Sequence, residues 1–135
     1  MLSAEQPVLV LPELFWRKMM QSDSAKLICL ACYQDRLASV CENADGYKLF
    51  EIRDHKSYPA GLLSLPSKDP MDRTSAILAC GVTIFLCGAI CNRTRHTLEH
   101  AGITVIPWLT GTESQVLEAF LRGGLAELAM PGVAV

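Results

Sequence analysis

Apolar residues fall in short runs separated by polar stretches rich in turn formers. The first clear run is Lys26–Tyr33, KLICLACY. It has the length of a strand and no polar alternation, as expected of a central strand covered on both faces. The next stretch, Gln34 to Asp45, is polar and irregular and ends at the Asp45-Gly46 turn signal. Tyr47–Arg53 reads as a second strand, and Asp54–Lys56 as a hairpin turn into a third, roughly Ser57–Leu65. Asp69-Pro70 opens a helix, because an aspartate can accept a bond from a free backbone N–H and proline suits a first turn that lacks one. Its Ile77 and Leu78 are expected to face the core, and Gly81 ends it. Val82–Cys87 is the fourth strand. A second helix runs from about Asn92 to His100 and stops at Gly102, and Ile103–Pro107 is the fifth strand.

Thr112 and Gln115 have capping-box spacing, and Thr110 with Glu113 repeats it just upstream. They open a third helix with Val116, Leu117, Phe120 and Leu121 on its apolar side, ended by Gly123-Gly124. Residues 1–24 look separate, as an N-terminal arm or one helix near Leu14–Met20. The last residues, 126–135, read as a loosely held tail. The order strand, strand, strand, helix, strand, helix, strand, helix combines a meander with a βαβα unit, and that unit requires parallel pairing. The expectation is one α/β domain over residues 25–125, with helices packed on a five-stranded mixed sheet.

Composition narrows the picture. Half of the 135 residues are hydrophobic and 19% are charged, so the chain can bury a core of its own. A net charge of -2 speaks against a nucleic-acid binder that works by neutralising phosphates. No secretory signal is visible: the N-terminus carries Glu5 and no basic cluster, and its apolar stretch is broken by Pro7, Pro12 and Glu13. A cytoplasmic location with reduced thiols is therefore expected for the six cysteines. Thr74–Asn92 carries no charge over 19 residues, but Gly81 and Gly88 divide it into helix end, turn, buried strand and turn, so no membrane span is expected.

The pieces LICLACYQDRLASV, ENADGYKLFEIRD, ACGVTIFLCGAICNRT, LEHAGITVIPWLTG and VLEAFLRGGL cover about residues 26 to 125. In this order and spacing the set resembles the dinitrogenase iron–molybdenum cofactor biosynthesis family (NifX-like, also the C-terminal domain of NifB-type proteins). The CGAI and GI-x-VIP elements carry most of the likeness. The resemblance implies a ribonuclease-H-like three-layer fold with strand order 3-2-1-4-5 and strand 2 antiparallel. It implies a non-catalytic role in binding or carrying an iron–sulfur or molybdenum-containing cluster. Cluster donor or acceptor proteins would be the partners of a monomer or weak homodimer. Many members have a His-Phe-Gly-type segment where this chain has Val40-Cys41-Glu42-Asn43-Ala44. Cys41 lies near the position of that histidine, as a softer replacement ligand.

Soft thiolates suit iron–sulfur clusters, copper(I) and zinc. Cys29 and Cys32 form a C-x-x-C on paper, but residues three apart on a strand point to opposite faces. Both read as small core residues, with Cys32 a candidate fourth ligand only if the strand ends before it. Cys80 ends the first helix and reads as packed. Cys87 closes the fourth strand, Gly88 allows a tight turn, and Cys91 begins the second helix. In the implied order, strands one and four are neighbours whose chains leave in different directions, and ligands favour the crevice beyond such strand ends. Backbone N–H groups of Gly88, Ala89 and Ile90, with the helix N-terminus, would favour an anionic cluster there. Asn43 would border the site and Arg93 would add positive charge. The expected metal ligands are thus Cys87, Cys91, Cys41 and Cys32.

Two enzyme readings compete. His96-Thr-Leu-Glu99-His100 matches the H-x-x-E-H of inverted zinc peptidases. Leu98 and Ala101 would take the core side of that helix, however, leaving His96, Glu99 and His100 to solvent. A metal-dependent nuclease needs clustered carboxylates, and Lys26–Tyr33 has none. Tyr33 and Trp108 could stack on a base or a planar ligand, but single aromatics are usually packing or rim residues. A metal-free protein-interaction module on the same fold is the remaining alternative.

Overall fold

The computed structural model describes residues 26–63 and 69–131, so the expected arm at 1–24 and the far end of the third expected strand lie outside it. The strands in chain order are β1 (Lys26–Tyr33), β2 (Arg36–Leu37), β3 (Gly46–Arg53), β4 (Lys56–Leu63), β5 (Ile84–Leu86) and β6 (Thr104–Ile106). The helices are α1 (Pro70–Ala79), α2 (Asn92–His100) and α3 (Glu113–Arg122). The sheet path is β4-β3-β1-β5-β6, with β2 paired to β1 off this path. β1 runs antiparallel to β3 and parallel to β5, β3 antiparallel to β4, and β5 parallel to β6.

Helices cover both sides of this sheet. On one face Cys29, Ala31, Tyr47, Leu49, Phe85 and Val105 pack with Ile77 of α1 and Leu98 of α2. On the other, Ile28, Leu30, Cys32, Phe50 and Leu86 pack with Leu109 and with Val116 of α3. β1 is therefore buried on both faces, which is why its sequence lacks alternation. Each large core side chain here, such as Ile28, Leu30 or Phe85, contributes about 1.5–3 kcal/mol by leaving water.

Local signals act where they occur. Asp69 caps α1 by accepting the Met71 N–H at 3.1 Å. Asp54 and His55 both have positive φ, 50° and 62°, and join β3 to β4 as a two-residue hairpin loop. The capping box forms at Thr112: its hydroxyl accepts the Gln115 N–H at 3.2 Å, and the Gln115 side chain accepts the Thr112 N–H at 2.9 Å. Replacing Thr112 with alanine leaves both ends of that exchange incomplete. The expected loss is about 1 kcal/mol, read from the denaturant midpoint.

The sheet has a sixth strand that the polar loop after β1 concealed. Gln34 turns the chain with φ 59°, its N–H held by the Asp45 carboxylate at 3.1–3.2 Å, and Leu37 then pairs with Cys32. Leu78 is 37% exposed; the buried side of α1 carries Arg73, Thr74 and Ile77 instead. The segment after α3 is held rather than loose as far as Met130. Leu125–Leu128 forms a 3-10 turn, with Leu125 and Leu128 packed against the second core. The Leu128 carbonyl accepts the Thr110 N–H, and the Met130 N–H reaches the Trp108 carbonyl, both at 2.8 Å. No helix among the described residues is long and apolar enough to cross a membrane.

Candidate functional site

Two segments meet beyond the carboxyl ends of β1 and β5. One follows β2 and contains the 3-10 turn Cys41–Asn43; the other is Cys87–Cys91, leading into α2. Val40 and Ala89 form a parallel bridge. The Cys41 N–H donates to the Ala89 carbonyl at 2.7 Å, and the Ala89 N–H to the Ser39 carbonyl at 2.9 Å. Gly88 permits this approach, because a Cβ there would sit 2.4 Å from the Ala38 carbonyl oxygen and 2.7 Å from that of Ser39. From the other side the Trp108 N–H donates to the Gly88 carbonyl at 2.9 Å, and the Leu109 N–H to that of Cys87 at 3.0 Å.

This arrangement brings Cys41 and Cys87 together. Both are buried, and the Cys41 thiol is in hydrogen-bond contact with that of Cys87. That contact, with burial, drives the Cys41 pKa far above the ordinary thiol range. Cys29 belongs to the same apolar cluster, and burial pushes its thiol up as well, the neighbouring thiols adding to the effect. The other two expected ligands lie elsewhere. Cys32 points to the opposite face of β1, where burial raises its pKa to about 12 against the opposing charge of Lys48. Strand alternation separates it from Cys29. Cys91 is exposed, and its sulfur contacts the Thr94 hydroxyl at 3.1 Å. Among the described residues, no group of three His, Cys, Asp or Glu side chains is placed to hold one metal ion.

The backbone donors are also partly committed. The Ala89 N–H serves Ser39, and the Cys91 N–H at the start of α2 faces the Glu42 carboxylate at 3.4 Å. The chain thus places its own anion at the helix terminus expected to receive a ligand. Gly88 and Ile90 are buried, whereas Asn43 and Arg93 are exposed.

A recess opens beside the thiol pair, lined by Cys41, Glu42, Tyr47, Arg73, Thr74, Ile77 and Thr94. Arg73, only 5% exposed, donates to the Ala44 carbonyl at 2.8 Å and to the Tyr47 hydroxyl at 3.1 Å, and its guanidinium lies 5.6 Å from the Tyr47 ring centroid. Burial raises the Tyr47 pKa to about 12, Cys41 adding to the rise and Arg73 opposing it. Sequence reasoning missed Arg73. The available signal was its spacing four residues before Ile77, which puts both on one side of α1.

The H-x-x-E-H segment meets solvent as expected: His96, Glu99 and His100 are exposed, and Glu99 is paired with Arg95 at 3.2 Å. Tyr33 and Trp108 are exposed as well, Trp108 in a left-handed backbone conformation with φ 64°.

No family model matches the sequence, and no curated protein matches it. Solved structures do. The crystal structure of PH0822 superposes with a TM-score of 0.69 at 20% identity, over 73% of this chain and 91% of that one. A candidate dinitrogenase, MJ0327, from Methanocaldococcus jannaschii gives 0.64 at 13% identity, over 75% and 92%. The apo form of the orange protein from Desulfovibrio gigas gives 0.61 at 17% identity, over 82% and 97%. At these identities the likeness is one of fold.

Proposed function

We propose that this chain is a non-catalytic, NifX-like carrier on a ribonuclease-H-like fold, which binds an iron–sulfur or molybdenum-containing cluster as cargo and exchanges it with donor or acceptor proteins. The observation that supports this best is the buried Cys41–Cys87 pair beyond the ends of β1 and β5, held by two loops and bordered by an open recess. Open α/β sheets favour ligands at such strand ends. The names of the fold neighbours agree with the theme: one is a candidate dinitrogenase, and another is described in an apo form.

The donor set fits cargo better than a resident ion. Two thiols fall short of the four ligands that a structural zinc site takes. A cluster that brings its own sulfide needs fewer protein donors, and soft sulfur is the right partner for it. In the described conformation the pair is sealed, so loading requires the Cys41–Asn43 turn to lift from Ala89. Arg73, at the recess, would face an anionic cargo.

Anaerobic reconstitution with iron(II), sulfide and molybdate tests the reading. After desalting, the expected result is bound metal with a charge-transfer absorbance. Both should be lost in the Cys41→Ala/Cys87→Ala double variant and kept in Cys32→Ala. Metal that binds the double variant as well as the parent would sink the proposal.

A further inference from the structure

The contact between Cys41 and Cys87 has a consequence independent of any cargo. The two thiols come from separate parts of the chain, the 3-10 turn after β2 and the residue that follows β5. Their backbones are locked side by side by the Val40–Ala89 bridge and by the Cys41 N–H bond to Ala89. Neither sulfur has to search for the other. Cys41 lines the recess but is only 2% exposed, so a small reagent reaches it when the Cys41–Asn43 turn lifts from Ala89, a route that Cys29, fully buried in the sheet, lacks.

We infer that Cys41 and Cys87 form a reversible disulfide, making this pair a redox modification site. The oxidant class is a small-molecule disulfide. In the first exchange, with the Cys41–Asn43 turn lifted and the thiol in water, the Cys41 sulfur loses its proton to solvent and bonds to one sulfur of the reagent, whose S–S bond breaks and frees its other sulfur as thiolate. In the second, Cys87 loses its proton and attacks the Cys41 sulfur of that mixed disulfide. The Cys41–Cys87 bond forms and the reagent leaves through the sulfur that Cys41 had bonded. The protein gives up two protons and two electrons, and the reagent, reduced to two thiols, takes up both.

The partner chemistry follows from the recess. Glu42 and Arg73 both line it with opposite charges, so a neutral dithiol–disulfide couple meets neither the repulsion nor the attraction that an anionic one would. Closure removes both thiols from metal binding at once, although its detection does not depend on metal.

The test uses the full chain, metal-free, equilibrated anaerobically with oxidised and reduced dithiothreitol in a series of ratios, then quenched with acid, denatured and alkylated. The expected result is a fall from six alkylated cysteines to four, with a Cys41–Cys87 cross-linked peptide in the digest. The intact mass before alkylation should be about 2 Da lower, and reduction should restore it. Cys41→Ala and Cys87→Ala should each abolish the cross-link, whereas Cys91→Ser and Cys32→Ala should leave it. Six alkylated thiols at every ratio, or a cross-link that joins a different pair in the parent protein, would overturn the inference. The parent digest decides even if a core variant fails to fold. Failed reconstitution beside a mapped cross-link would count against the carrier reading alone.

Discussion

Replacing Gly88 with alanine is expected to cost about 3 kcal/mol or more, an overpacking penalty at the upper end of its usual range. The added methyl would meet backbone oxygens, of Ala38 at 2.4 Å and Ser39 at 2.7 Å, which cannot rotate away as the end of the Met130 side chain at 3.0 Å can. Those carbonyls are themselves fixed, since the Ala38 N–H bonds to Ala31 and the Ser39 carbonyl accepts the Ala89 N–H. Relief therefore requires the Val40–Ala89 bridge to open, which separates Cys41 from Cys87. Gly102→Ala is the control: its φ of +92° disfavours a side chain, but nothing lies within 4 Å of the new Cβ. Its cost should be about 1 kcal/mol. Denaturant midpoints measure both. Equal losses for the two variants would show that the close approach at Gly88 is not what holds these loops together.

Arg73→Ala is expected to cost about 3 kcal/mol. The arginine is buried and donates to the Ala44 carbonyl and the Tyr47 hydroxyl, so its removal leaves acceptors unserved and deletes a long side-chain stem from the space beside Ile77. Tyr47 provides a second readout. Arg73 opposes the rise of its pKa, so the phenol of the variant should ionise above the parent value of about 12. The sign for stability follows. Tyr47 holds its proton longer in the folded chain than in the unfolded one, where it titrates near 10. Its contribution is complete below that pH and is lost as pH rises towards about 12. Arg73→Ala should extend that loss to higher pH, as followed by tyrosinate absorbance. An unchanged phenol titration would mean that Arg73 does not govern Tyr47.

Much of the framework was legible because its causes are local. The apolar run of Lys26–Tyr33, the capping pair Thr112 and Gln115, Asp69 before Pro70 and the turn at Asp54-His55 act within a few residues of themselves. The two-residue strand Arg36–Leu37 was not legible. It exists through one positive-φ turn at Gln34 and through pairing with β1, neither of which leaves a hydrophobic pattern.

The sequence by itself determined where the helices and all strands but β2 form, that the chain mixes them in an α/β arrangement, and that Cys29 and Cys32 cannot share a side of β1. Only the tertiary structure decided which cysteines meet. Alternation says that Cys29 and Cys32 diverge, but not which face lies under α1 and α2, where Cys41 and Cys87 pack. Nor does a list of N–H groups reveal which are already bonded: Ala89 is satisfied by Ser39, and Cys91 faces Glu42, through contacts far apart in sequence. Nor does the helical pattern of α1 show that Arg73 is buried against the Ala44 carbonyl and the Tyr47 ring. Secondary structure follows from neighbours along the chain. The chemistry of a site follows from burial and from partners in space, which depend on how the two faces of the sheet are covered.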